Sequence, residues 1–74
     1  MAKERFIPER IKILRESKGI SQDTLGEAVG CSRQAIQQFE AGQKTPRIDT
    51  LQKIAEYFDA RVGFFFLEER ADGR

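Results

Sequence analysis

Seventy-four residues, 39% of them apolar and 34% charged, make one small domain near the lower limit for a self-sufficient core. A single cysteine, Cys31, excludes an intrachain disulfide, and with no histidine a zinc site lacks its ligands, so neither metal nor cofactor is expected. The net charge of +1 is low for a nucleic-acid partner, but residues 1–20 carry six Lys/Arg against three Glu, while residues 48–74 carry four against six Asp/Glu.

Residues 1–7 read as a charged, frayed N-terminal arm. The stretch MAKERFIPER has no apolar core of a secretory signal, and no apolar run approaches the roughly 18 residues of a membrane span, so a cytoplasmic protein is expected. Ile7-Pro8 begins a helix, because proline fits the first turn, where its missing N–H is no loss. Ile7, Ile11 and Leu14 form an apolar stripe at i, i+4 and i+7, with Arg10, Lys12 and Lys18 outward. Gly19 ends this helix, and Ile20 precedes a capping serine, where it can staple two helices together.

Residues 21–42, SQDTLGEAVGCSRQAIQQFEAG, hold two short helical patterns joined by a tight turn. Ser21 is a good N-cap, Leu25, Ala28 and Val29 make one apolar stripe, and Gly30 suits a left-handed helix end. Gly26 has no side chain, so the following helix can approach closely. Cys31 falls in the turn as a small, semi-buried residue; a redox role would need electropositive surroundings. Ser32 caps the second helix, whose inner face is Ala35, Ile36 and Phe39 and whose outer face is Arg33, Gln34, Gln37 and Gln38. Solvated faces usually mix Glu and Lys. Three glutamines and an arginine instead supply flat donor–acceptor forks that match adenine N6/N7 and guanine O6/N7 in the major groove. Both readings, solvated face and base reader, follow from these residues. The polar loop QKTPR comes next, then an amphipathic helix with Ile48, Leu51, Ile54, Ala55 and Phe58 inward.

Taken together, these features resemble the helix-turn-helix of the Cro and phage-repressor type, the XRE family. Ser21-Gln22 opens the first helix of the motif, Gly26 lies where the helices meet, and Gly30 and Ser32-Arg33 follow. Ile36 and Phe39 face inward, Glu40-Ala41-Gly42 closes the motif, and Pro46 and the Ile48/Leu51/Ile54 helix stand at the expected distance. The resemblance covers residues 10–58 and implies a mainly α, four-helix repressor-type domain over residues 8–60. It also implies base contacts from Arg33, Gln34 and Gln38, with Gln37 secondary, from a recognition helix at about residues 32–39. Arg15 is implied to pair with Glu40 and to present its guanidinium to phosphate. Gln22, Ser32, Gln43, Lys44 and Arg47 complete the implied phosphate contacts, which position the protein without specifying sequence.

Residues 61–69, RVGFFFLEE, depart from the fifth helix common in the family. Valine and three phenylalanines favour a strand and Gly63 weakens a helix, although a short fifth helix remains the alternative. A lone strand apolar on both faces is an aggregation hazard. It is therefore expected to pair with the same strand of a second subunit, through Val62, Phe64, Phe65, Phe66 and Leu67, as in some antitoxin-type relatives. Residues 70–74 read as a disordered tail.

The expected function is a dimeric, sequence-specific DNA-binding transcriptional regulator, repressor-like, on a near-palindromic operator of double-stranded DNA. No histidine, no nucleophile with a base and no phosphate-cradling glycine loop supports an enzyme. An antitoxin or adaptor that holds a toxin or other protein partner through the same fold is the rival from another class. A plain helical bundle is a third reading.

Overall fold

Serine before a helix and glycine after it set the boundaries of the central motif. In the computed structural model, which describes residues 2–70, Ser21 Oγ accepts from Thr24 N–H and Ser32 Oγ from Ala35 N–H, both at 3.0 Å. Each hydroxyl satisfies one of the N–H groups that a helix start leaves unpaired. At the other end of the first of these helices, Gly30 adopts φ 76°, a left-handed conformation that costs glycine nothing sterically.

In chain order the elements are strand β1 (Ala2–Phe6), helices α1 (Glu9–Ser17), α2 (Gln22–Val29), α3 (Arg33–Glu40) and α4 (Ile48–Tyr57), a 3-10 turn (Val62–Phe65), and strand β2 (Phe66–Arg70). Four helices around one core match the expected repressor-type architecture. Ile11, Leu25, Ile36, Leu51, Ile54 and Phe65 are fully or almost fully buried, with Val29, Phe39, Ala55 and Phe58 closing the core around them. The helical periods thus place one inward stripe from each helix in a shared interior.

Gly26 is buried where α2 meets the start of α3. A Cβ built there would lie 2.5 Å from the carbonyl oxygen of Cys31, so only hydrogen fits. Two inward positions differ from the stripes expected. Ala28 is exposed and Gly26 takes its place against α3; Ile48, the first residue of α4, is 61% exposed because it lies outside the turn that faces the core.

The chain ends depart further from the sequence reading. Instead of a frayed arm, residues 2–6 form β1, which pairs antiparallel with β2 in the register Ala2↔Arg70 to Phe6↔Phe66. The strand expected from Val62 onward begins only at Phe66. Residues 62–65 make a 3-10 turn, fastened by Arg10 Nη1 donating to the Phe64 carbonyl at 2.8 Å and by Ile7 N–H donating to the Phe65 carbonyl at 2.7 Å. That turn breaks the expected alternation: Phe65 points inward at 0% exposure, while Phe64 and Leu67 stay outside. Strand β2 takes its ladder partner from its own chain. Arg70 belongs to β2, and the rest of the expected disordered tail lies outside the described residues. No helix among the described residues is long and apolar enough to cross a membrane.

Candidate nucleic-acid interface

Helix α3 advances about 100° per residue, so Arg33, Gln34, Gln37 and Gln38 occupy the arc opposite Ala35, Ile36 and Phe39. Arg33, Gln34 and Gln37 are exposed and Gln38 is half-buried, whereas Ile36 and Phe39 lie in the core. The α3 inner face therefore holds the helix, and its outer face carries nothing but side chains with free hydrogen-bonding ends or long polar stems. Gln34 and Gln38 sit towards one flank of this arc. Arg33 and Gln37 sit towards the other, on the side of α1 and the α2 start.

On that second flank, Arg15 and Glu40 meet. Arg15 Nε donates to Glu40 Oε2 at 2.6 Å, Nη2 donates to Oε1 at 3.1 Å, and Nη1 donates to the Ile20 carbonyl at 2.8 Å. The two side chains retain only 13% and 4% exposure. A bidentate, charge-assisted pair in this setting fixes the guanidinium plane and ties α1 to the end of α3. The hydrogen bond to Glu40 raises the Arg15 pKa above its ordinary value, burial pulls against it, and the charges of Glu40 and Glu16 add to the rise. Arg15 thus stays a cation under all working conditions, with its unengaged N–H groups left for an outside acceptor.

Gln22, expected as a phosphate contact, lines the same flank and has one of its N–H groups engaged. Its Nε2 donates to Glu40 Oε1 at 3.1 Å, so this amide braces the ion pair from the first residue of α2. Ser32 is occupied as the N-cap of α3. On the far side, the loop after α3 folds back on it: Gln43 N–H and Lys44 N–H both donate to the Gln38 carbonyl, at 2.9 and 3.3 Å. This closure and the buried Pro46 anchor the loop, leaving Gln43, Lys44 and Arg47 exposed beside the α3 exit. Arg47 also supplies the extended backbone that precedes α4.

Arg15, Gln22, Arg33 and Glu40 line one open groove where α1 meets the starts of α2 and α3, together with Ser21, Glu16, Asp23 and Lys12. The sequence reading took Lys12 only as an outward residue. Its spacing of three from Arg15 was the signal that both share a face of α1. The expected dimer residues divide. Phe64 and Leu67 are exposed, at 37% and 40%, Val62 and Phe66 are half-buried, and Phe65 is inside the core and cannot present a surface.

Comparison with known proteins accords with this geometry. A helix-turn-helix family model, HTH_3, matches residues 11–65. An uncharacterized HTH-type transcriptional regulator of Sinorhizobium medicae is 36% identical over 67 residues; the match spans 90% of this chain but 48% of that protein, so this chain covers about half of its relative's length. The P22 c2 repressor, solved in complex with a synthetic operator, superposes with a TM-score of 0.78 at 28% identity, covering 82% of this chain and 92% of that one. SinR in its complex with SinI aligns with a TM-score of 0.74 at 32% identity over 80% of this chain and 58% of that chain. These are regulators and a repressor rather than enzymes, and the fold, the capped two-helix motif and the matched residues agree: the chain belongs to the helix-turn-helix family of the phage-repressor type.

Proposed function

We propose that this chain is a sequence-specific reader of double-stranded DNA that regulates transcription, repressor-like, as a two-fold dimer in the cytoplasm. The observation that carries the reading is the outer face of α3: an arginine and glutamines with no acidic neighbour between them, on a helix braced by Gly26 packing and the Arg15–Glu40 pair. Arg33, Gln34 and Gln38 read base edges and Gln37 assists. Arg15, Gln22, Ser32, Gln43, Lys44 and Arg47 set the register on the phosphates, with α2 directing its start at the backbone. The DNA-binding elements lie within residues 8–60, with Phe65 completing their core. Residues 61–69 carry the dimer contact through Phe64 and Leu67, supported by Val62 and Phe66. Two copies related by a two-fold axis then meet half-sites about 34 Å apart, one helical turn, in a near-palindromic operator. The P22 c2 repressor's complex with an operator supports this reading by likeness of fold and motif.

The test uses a duplex enriched from a randomised pool by the protein itself. Gln34→Ala should lose about 1–3 kcal/mol of discrimination at one base step per half-site and little at the others. Equal weakening on enriched and unrelated duplexes would remove Gln34 from base reading.

A second reading rests on a separate observation. Leu14, Ala60, Gly63 and Phe64, with Arg61, line an apolar groove on the flank of α1 away from Arg15. Such a surface suits an antitoxin or adaptor that holds a toxin or other protein, and SinR, which is similar in fold, is known in complex with the SinI protein. Co-purification of a stoichiometric second protein, together with no sequence preference in the enriched pool, would favour it.

A further inference from the structure

We infer that Lys12 is a phosphate-contacting residue, placed on the flank where α1 and the starts of α2 and α3 converge. The inference rests on the DNA-reading function proposed above and adds a residue to it that the sequence pattern had left as solvated surface.

Most other groups in that groove are already engaged. Both carboxylate oxygens of Glu40 are engaged, Oε2 by Arg15 Nε and Oε1 by Arg15 Nη2 and Gln22 Nε2. Glu40 is therefore neutralised in place, and one N–H of the Gln22 amide is spent on it. Ser21 and Ser32 hydroxyls are used as caps of α2 and α3. What remains exposed and positive around the groove is Lys12 from α1 and Arg33 from α3. Lys12 is exposed and lies one turn before Arg15, so its ammonium reaches out beside the fixed guanidinium.

The surroundings favour an anion at this place. Two eight-residue helices, α2 and α3, direct their N-terminal ends towards the groove, each adding partial positive charge. Glu16 and Asp23 also line it and oppose the cations in the free protein. A lysine answers that competition better than an arginine would. Its ammonium is a point charge on a flexible four-carbon stem, able to leave a nearby carboxylate for a phosphate oxygen without needing a planar partner. Arg33, at the first turn of α3, is directed to bases. Lys12 on the α1 side then meets the backbone that flanks them.

The experiment measures salt dependence of binding to two duplexes, one enriched by the parent protein and one unrelated, for the parent, Lys12→Gln, Lys12→Arg and Lys53→Gln. Glutamine keeps the helix propensity and stem of Lys12 but not its charge, and Lys53 is an exposed lysine of α4 outside the groove. Lys12→Gln should weaken both duplexes by the same factor and lower the slope of log K against log salt by about 0.9, the release belonging to one phosphate contact. Lys12→Arg should restore the slope, and Lys53→Gln should leave it at the parent value. A Lys12→Gln slope equal to the parent's, or a loss no greater than that of Lys53→Gln, overturns the inference. Lys44→Ala separates the two levels of the argument. If it lowers the slope while Lys12→Gln does not, DNA reading stands and Lys12 is excluded; if the parent enriches no duplex, both readings fall.

Discussion

A glutamine amide can read a base or hold a neighbour, and the partner it finds within the chain separates the two uses. Gln34 stands exposed on α3, whereas Gln22 is half-buried with its amide on Glu40. The Ser-Gln pair opening α2 is visible in the sequence, but nothing within a few residues of Gln22 announces an acceptor eighteen positions away. Arg15 and Glu40 pose the same difficulty from residue spacing alone; likeness to the phage-repressor family supplied their pairing. Glu40→Ala would strand a mostly covered guanidinium with only the Ile20 carbonyl beside it. The expected loss is about 2 kcal/mol of stability, below the roughly 3–5 kcal/mol of a broken, fully buried pair because Arg15 retains some access to water. Urea titration checks it. Arg15 has a raised pKa in the folded state, so its contribution is complete below its ordinary value and fades only as pH rises through the still higher folded value. The stability difference between parent and Glu40→Ala that belongs to Arg15 should accordingly stay constant from neutral pH up to the alkaline limit of the measurement. A difference that shrinks steadily across mildly alkaline pH would mean that another group controls it.

Helices and their ends were the most legible elements, because caps and periods are local. Ser21, Ser32 and Gly30 mark boundaries by their own chemistry, and Leu25, Val29, Ile36, Phe39, Leu51 and Ile54 mark inner faces by spacing. The errors arose where one helix meets another. Ala28 fits the α2 stripe by spacing yet is exposed, while Gly26, expected at the helix contact, meets the Cys31 carbonyl there. That approach gives the spacing between α2 and α3 a single-residue determinant. In Gly26→Ala the new methyl would sit 2.5 Å from a backbone oxygen, with Ser32 backbone atoms at 3.3 Å. Neither neighbour can rotate away, so the α3 start must shift. We expect a destabilisation of about 1–3 kcal/mol, a fall in Tm on the order of 5–20 °C for a domain of this size. Affinity for an enriched duplex should fall further than the change in folded fraction explains, since the reading face moves with α3. A Gly26→Ala protein that melts like the parent would show that the turn absorbs the methyl without moving the helix.

At the scale of the whole molecule the two chain ends meet, and this was the least legible part of the fold. Nothing in AKERF specifies a strand; its pairing with FLEER is a contact between residues sixty or more positions apart. The three consecutive phenylalanines are equally consistent with alternation or with a turn, and the Arg10 bond to the Phe64 carbonyl helps settle which one packs inward. That outcome changes how dimerisation is to be tested. Cutting the chain after Ala60 would remove Phe65, a fully buried core residue whose loss as a side chain alone costs about 3–5 kcal/mol, so a truncated chain would report unfolding rather than association. Phe64 is the better probe. Its ring is 37% exposed and stacks under Arg10, with the guanidinium carbon 5.0 Å from the ring centre, while the carbonyl that Arg10 also holds belongs to the backbone and survives substitution. Phe64→Ser should therefore keep the helical circular dichroism and most of the thermal stability. If residues 61–69 carry the two-fold contact, sedimentation equilibrium should show the parent as a dimer and Phe64→Ser as a monomer at the same concentration. The variant should also bind a single half-site with near-parent affinity but lose the steep gain from a second half-site one turn away. A Phe64→Ser protein that remains a dimer would move the interface elsewhere, and a parent that is monomeric throughout would take the two-fold operator away and leave the apolar groove beside Leu14 for another protein.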